Sequence, residues 1–161
     1  MVSLKIEDLP AFTRQLFTGD TFDRFLVQEA RIVTFNAFTI DGRIRAEYFP
    51  DGDYTEEYSS WKMLRPFCFS LIRGKRLPES FSIVLALPPA GAESFTRRIM
   101  PDAPEGLVRG LYLNIRYEDK VCRLVTGTSL TQFTVDKRIE HEWDSAAGGF
   151  LKKAEIGYLE E

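Results

Sequence analysis

The chain has 161 residues and a mass of 18.5 kDa, with 21 Lys plus Arg against 24 Asp plus Glu for a formal net charge of −3. With 44% hydrophobic and 28% charged residues it can fill one core of ordinary domain size, which excludes intrinsic disorder, a collagen-like repeat and a disulfide scaffold. A pI near 5.4 argues against a dedicated nucleic-acid binder covered in positive charge, although a mildly acidic chain still has room for one basic face.

Leu4 and Ile6 alternate with Lys5 and Glu7 as a short strand. Asp8 then stands at a helix N-cap, Pro10 falls in the first turn, and Phe12, Leu16 and Phe17 form a helical stripe that Gly19 and Asp20 end. From Phe25 to Ile40 both parities are apolar, which predicts one long strand covered on both faces and containing a bend or bulge. Asp41-Gly42 supplies the turn residues of a tight hairpin, so a return strand is expected through Ile44, Ala46 and Tyr48.

Pro50 to Glu57 is an acidic, turn-rich loop, followed by a short strand over Tyr58 to Trp61 and a helix opening near Pro66. Phe67, Leu71 and Ile72 have helical spacing, and Gly74 is placed as the C-terminal cap. Phe81, Ile83, Leu85 and Leu87 alternate as a strand that Pro88-Pro89 stops, and a short helix runs through Phe95 to Ile99. Pro101 to Gly106 reads as a loop within one domain.

Leu111, Leu113, Ile115 and Tyr117 form the next strand, Glu118-Asp119 a turn, and Val121, Arg123 and Val125 the return, with a further strand over Leu130, Phe133 and Val135. A closing helix from about Lys137 presents Ile139, Trp143, Ala147 and Phe150, with Gly148-Gly149 expected to weaken or kink it and the tail after Lys153 expected to fray. The pattern is a single α+β domain over residues 1–161, a mostly antiparallel sheet with helices on one side. A faint twofold order relates a strand, helix and hairpin near 3–49 to a second unit over 57–135.

Cys68 and Cys122 lie in apolar stretches and read as small buried hydrophobes, while Lys5, Glu7 and Asp8 interrupt any signal-peptide run. No apolar run approaches the roughly 20 residues of a membrane span. A cytoplasmic protein without a membrane partner is therefore expected.

Candidate chemistry is sparse. His141 is the only histidine, flanked by Glu140, Glu142 and Asp144, and one His with scattered carboxylates is not a zinc pattern. Asp51, Asp53, Glu56 and Glu57 cluster acid but lack the glycine of a calcium loop. Ser70, Ser82 and Ser129 have no nucleophile-elbow setting, and no glycine-rich phosphate loop occurs, so neither catalytic residues, a metal nor a cofactor is expected. The charge segregation that does stand out runs from Trp61 to Pro78, where Lys62, Arg65, Arg73, Lys75 and Arg76 occur with no acid and with Trp61, Phe67 and Phe69 interleaved.

Two likenesses follow. Thr21-Phe22-Asp23, the stretch Thr34 to Gly42, the block Trp61 to Phe69, and Thr126 to Leu130 with His141 to Asp144 resemble an uncharacterised family of short bacterial proteins, which implies no activity. The order of strands and helices is also similar to a single domain of a DNA sliding clamp, which implies helices turned toward nucleic acid.

The expectation is a non-enzymatic binding or assembly module for a protein or nucleic-acid partner. Its binding residues would be Trp61, Lys62, Arg65, Arg73, Lys75 and Arg76, and edge-strand pairing would offer a homodimer. The alternative is a small enzyme or small-molecule binder with a pocket between sheet and helices, anchored by Arg65, Arg116 or His141.

Overall fold

The computed structural model describes residues 1–52 and 55–161. Among these, seven strands form one antiparallel sheet, and α1 (Leu9–Thr13), α2 (Trp61–Ile72), α3 (Pro89–Ile99) and α4 (Arg138–Lys153) accompany it. The strands are β1 (Ser3–Ile6), β2 (Leu26–Val33), β3 (Ala37–Asp41), β4 (Ser80–Ala86), β5 (Val108–Glu118), β6 (Val121–Leu130) and β7 (Tyr158–Glu160), in the spatial order β3-β2-β4-β5-β6-β1-β7. The fold is therefore the expected α+β arrangement, with the strands of the first expected unit divided between the two ends of the sheet.

Alternation decides the two faces. Paired across the strands, Ile32, Phe81 and Tyr117, then Ala30, Ile83, Ile115, Leu124 and Leu4, then Leu85 and Leu113, all point one way and are buried. Phe12, Leu16 and Phe17 from the α1 region, Trp61 and Cys68 from α2, and Ile139, Trp143, Ala147 and Leu151 from α4 join them in one core. α3 runs beside α4, its Phe95 ring meeting Trp143 edge-on at 5.6 Å. Among the described residues the other face of the sheet carries no helix, and it presents Arg31, Arg116 and Glu118 exposed.

Asp8 caps α1 as its side chain accepts from the Ala11 N–H at 3.1 Å, with Pro10 in the first turn. The helix widens into a single π turn over Arg14–Thr18, closed by Gly19 N–H donating to the Arg14 carbonyl at 2.7 Å. The stretch from Phe25 to Ile40 is not one strand. It turns back at Thr34–Asn36, where Thr34 N–H donates to the Asn36 carbonyl at 2.9 Å, and the expected bulge is present where the β2–β4 register shifts between Val27 and Glu29.

Asp41-Gly42 therefore ends the second strand of that hairpin, and a short 3-10 turn over Ala46–Tyr48 replaces the expected return strand. Helix α2 also begins earlier than expected. Ser60 accepts from the Met63 N–H at 3.2 Å and so fixes the start at Trp61, leaving Pro66 inside the helix and Gly74, at φ 145°, beyond its end.

Between β5 and β6 the turn residues are Asp119 and Lys120, at φ 52° and 64°, one position later than the sequence suggests. No strand forms over Phe133 and Val135, which are 90% and 83% exposed in the loop before α4. α4 runs unbroken through Gly148-Gly149, and the tail is held because Ile156 is buried and β7 pairs with β1.

Candidate binding surfaces

The residues of the basic segment divide sharply. Trp61 is fully buried and its Nε1–H donates to the Leu16 carbonyl at 2.7 Å, so the ring ties α2 to the α1 region. Arg65 is also occupied. Its Nε and Nη2 donate to the two Asp23 carboxylate oxygens at 2.8 and 2.7 Å, a two-pronged pair whose side chains are 19% and 15% exposed. Lys62 on α2 and Arg73, Lys75 and Arg76 just beyond its end are exposed, and Phe67 of α2 stands 64% exposed. Among the described residues the segment thus offers four free cations and one free ring, not the six residues that its sequence groups together.

Arg65, Arg116 and His141 do not converge. Arg65 is held by Asp23, Arg116 stands on the bare face of the sheet, and His141 is exposed on α4. A cavity of about 560 Å³ lies elsewhere, between the start of α3, the stretch 104–110 and the segment 56–58. Leu26, Leu87, Ala92 and Leu107 give it an apolar floor, with Arg109 and Tyr112 among its polar lining.

Ser70 is spent on the Pro66 carbonyl at 3.0 Å. Among the described residues no three His, Cys, Asp or Glu side chains group as a metal site, and Asp53 of the acidic loop lies outside them. The Arg43 backbone N–H donates to Asp41 and, with Arg45 and Arg43 beside it, holds that carboxyl below its ordinary range.

A different set of cations is brought together by strand register. Thr39 of β3 is opposite Arg31 of β2, Arg31 opposite Ser82 of β4, Ser82 opposite Arg116 of β5, Arg116 opposite Arg123 of β6, and Arg123 opposite Lys5 of β1. All six side chains fall on the face that carries no helix. With neighbouring strands about 4.8 Å apart, the row is about 24 Å long.

Arg31 and Arg116 make no ion pair or side-chain hydrogen bond among the described residues. Arg123 donates to Glu161 at 2.7 Å, which holds that carboxyl below its ordinary range and raises the guanidinium's own pKa. Glu29 and Asp41 occupy the adjoining row on one side and Glu118 the row on the other. Of this row, sequence reasoning singled out Arg116 alone. The available signal was parity within each strand, but it becomes a row only once five pairings are known.

An open antiparallel sheet with helices on one face and a charged row on the other defines an α+β domain whose bare surface faces outward. Residues 15–159 match the model of a family of unknown function, DUF5721, and the chain belongs to that family. No curated protein and no solved structure matches the chain.

Proposed function

We propose that the protein is a non-enzymatic, cytoplasmic binding module whose docking surface is the bare face of the sheet. The observation that carries this reading is the placement of Arg116 directly opposite Arg123, with Arg31 and Lys5 in the same row. Like charges opposed across strands cost a few tenths to about 1 kcal/mol, so the row works against the isolated fold and is repaid by an anionic partner. Nor does a helix need this face: the core is complete on the other side.

The test needs no ligand. Replacing Arg116 by Thr removes one of the opposed charges and inserts a good strand former. A gain of up to about 1 kcal/mol is expected near 20 mM salt, or roughly 2–4 °C in Tm for a chain of this size. Part of the gain should vanish near 500 mM salt, where exposed charges are screened. A variant less stable than the wild type at low salt would make Arg116 a structural residue and remove the ground for the reading.

The cavity beside α3 favours a second reading, small-molecule binding, because about 560 Å³ is the size of an ordinary ligand site. Native mass spectrometry of freshly purified protein separates the two: a retained small molecule supports the cavity, and bare protein leaves the sheet face ahead.

A further inference from the structure

We propose that the row across the sheet holds the phosphodiester backbone of duplex nucleic acid. This rests on the reading of the bare face as the docking surface and names its partner.

Six consecutive strands each contribute a hydrogen-bond donor: the Thr39 hydroxyl, Arg31, the Ser82 hydroxyl, Arg116, Arg123 and Lys5. No carboxylate belongs to the row itself, and the one that reaches it is Glu161, held by Arg123 at 2.7 Å. Guanidinium forks and hydroxyls are the groups that hold phosphate oxygens, and three of the four cations are arginines. A duplex carries one phosphate per about 1.7 Å of axis with both strands counted, and the two backbones wind in turn past a row of about 24 Å. Each cation therefore has a phosphate within reach without strict register, which suits contact with a backbone and not with particular bases.

Two features choose the duplex over a single strand and over an acidic protein. The row contains no aromatic ring, and unpaired bases bound to a sheet need rings on which to stack. The acids Glu29, Asp41 and Glu118 lie on both sides of the row, so contact is confined to one line of charge. Each duplex backbone carries a phosphate at every step with no cation between, whereas carboxylates on a folded protein surface are interspersed with other groups.

Arg123 is already neutralised by Glu161, so Lys5, Arg31 and Arg116 set the expected salt response. The logarithm of the binding constant should fall against the logarithm of salt concentration with a slope of about −2.7, about 0.9 for each of these three cations.

The experiment is fluorescence anisotropy with the full chain and a labelled 30-base-pair duplex of arbitrary sequence, across salt concentrations from about 20 to 200 mM. Binding with a slope of roughly −2 to −3 is expected. Arg31→Glu with Arg116→Glu should weaken it at least tenfold and cut the slope to about a third, whereas Arg73→Glu with Lys75→Glu on the α2 side should change it less than twofold. Arg31 and Arg116 are exposed and, among the described residues, free of ion pairs, and thermal unfolding of each variant confirms its fold.

Four outcomes would overturn the proposal: absent or salt-insensitive binding, tighter binding to the matching single strand, competition by poly-glutamate as strong as by unlabelled duplex, or loss confined to the α2 variant. Failure here with stabilisation by Arg116→Thr would leave the docking face standing and move its partner to another anion. Failure of both would remove the face as well.

Discussion

Replacing Gly42 by Ala should be among the most damaging single-methyl additions in this chain. A Cβ at Gly42 would lie 1.8 Å from the Val27 carbonyl oxygen and 2.6 Å from its carbon, both backbone atoms that no rotamer change can move. Ordinary contact begins near 3.4 Å, so the strand end at 41–43 must retreat by more than an ångström. That retreat stretches Gly42 N–H to the Gln28 carbonyl, 3.1 Å, and Ser59 N–H to the Gly42 carbonyl, 2.8 Å.

Two hydrogen bonds at about 1 kcal/mol each, with overpacking strain of 1–3 kcal/mol, give a loss of about 3–5 kcal/mol, or a Tm lower by at least roughly 6 °C. Gly149→Ala is the control, since its Cβ meets nothing within 4 Å inside α4 and replacing a helical Gly should add about 1 kcal/mol. Urea unfolding of both variants, with m-values compared, decides the matter. A Gly42→Ala protein within 0.5 kcal/mol of the wild type would refute the close approach, and with it the bulge geometry of β2.

Trp61→Phe removes the indole donor and leaves the buried Leu16 carbonyl without its partner, so a loss of about 2–3 kcal/mol in urea unfolding is expected, whatever the protein binds. The thiols give a pH test: burial pushes Cys68 up to about 11 and Cys122 up to about 12, against an ordinary 9.0. Native protein should therefore resist alkylation at pH 8 and take up two labels once unfolded in guanidinium; rapid native labelling would contradict the packing. Because the unfolded thiols ionise near 9 and the folded ones do not, their contribution to stability is complete below pH 9 and declines as pH rises toward 11–12.

Where a local signal had no competitor, the sequence was legible. Asp8 with Pro10, the alternation over Leu111 to Tyr117, and the stripe Ile139, Trp143, Ala147 each specify an element with its buried face, and each is found. The errors arose where two signals met. Asp41-Gly42 is a good turn pair, yet the hairpin turns at Thr34–Asn36, and Gly42 is needed for its missing side chain beside Val27 instead of for a positive φ.

Pro66 looked like the start of a helix, but Ser60 lies one residue before Trp61 and caps the chain there, and a buried Trp61 with a fixed hydrogen bond outweighs an interior proline. The tail was legible in composition as frayed, whereas Ile156 and the pairing of β7 with β1 hold it by contacts with residues some 150 positions away.

The same physics explains why the candidate site moved. A search along the chain weighs charges that are neighbours in sequence, and so it favoured residues 61–76, two of which the fold then consumes in packing and in the Asp23 pair. The sheet sorts charges differently. A strand alternates its faces every residue, so one arginine per strand is an unremarkable surface charge until register aligns it with others. Lys5, Arg31, Arg116 and Arg123 share a line only because β1 crosses to the far side of β6 and β2 pairs with β4. Arg123 has its Glu161 partner, but stability alone gives no reason to keep Arg116 beside it, since Thr there would suit the strand better. A feature that is costly to the fold and assembled by its longest-range contacts points to selection for what the face meets in the assembled molecule.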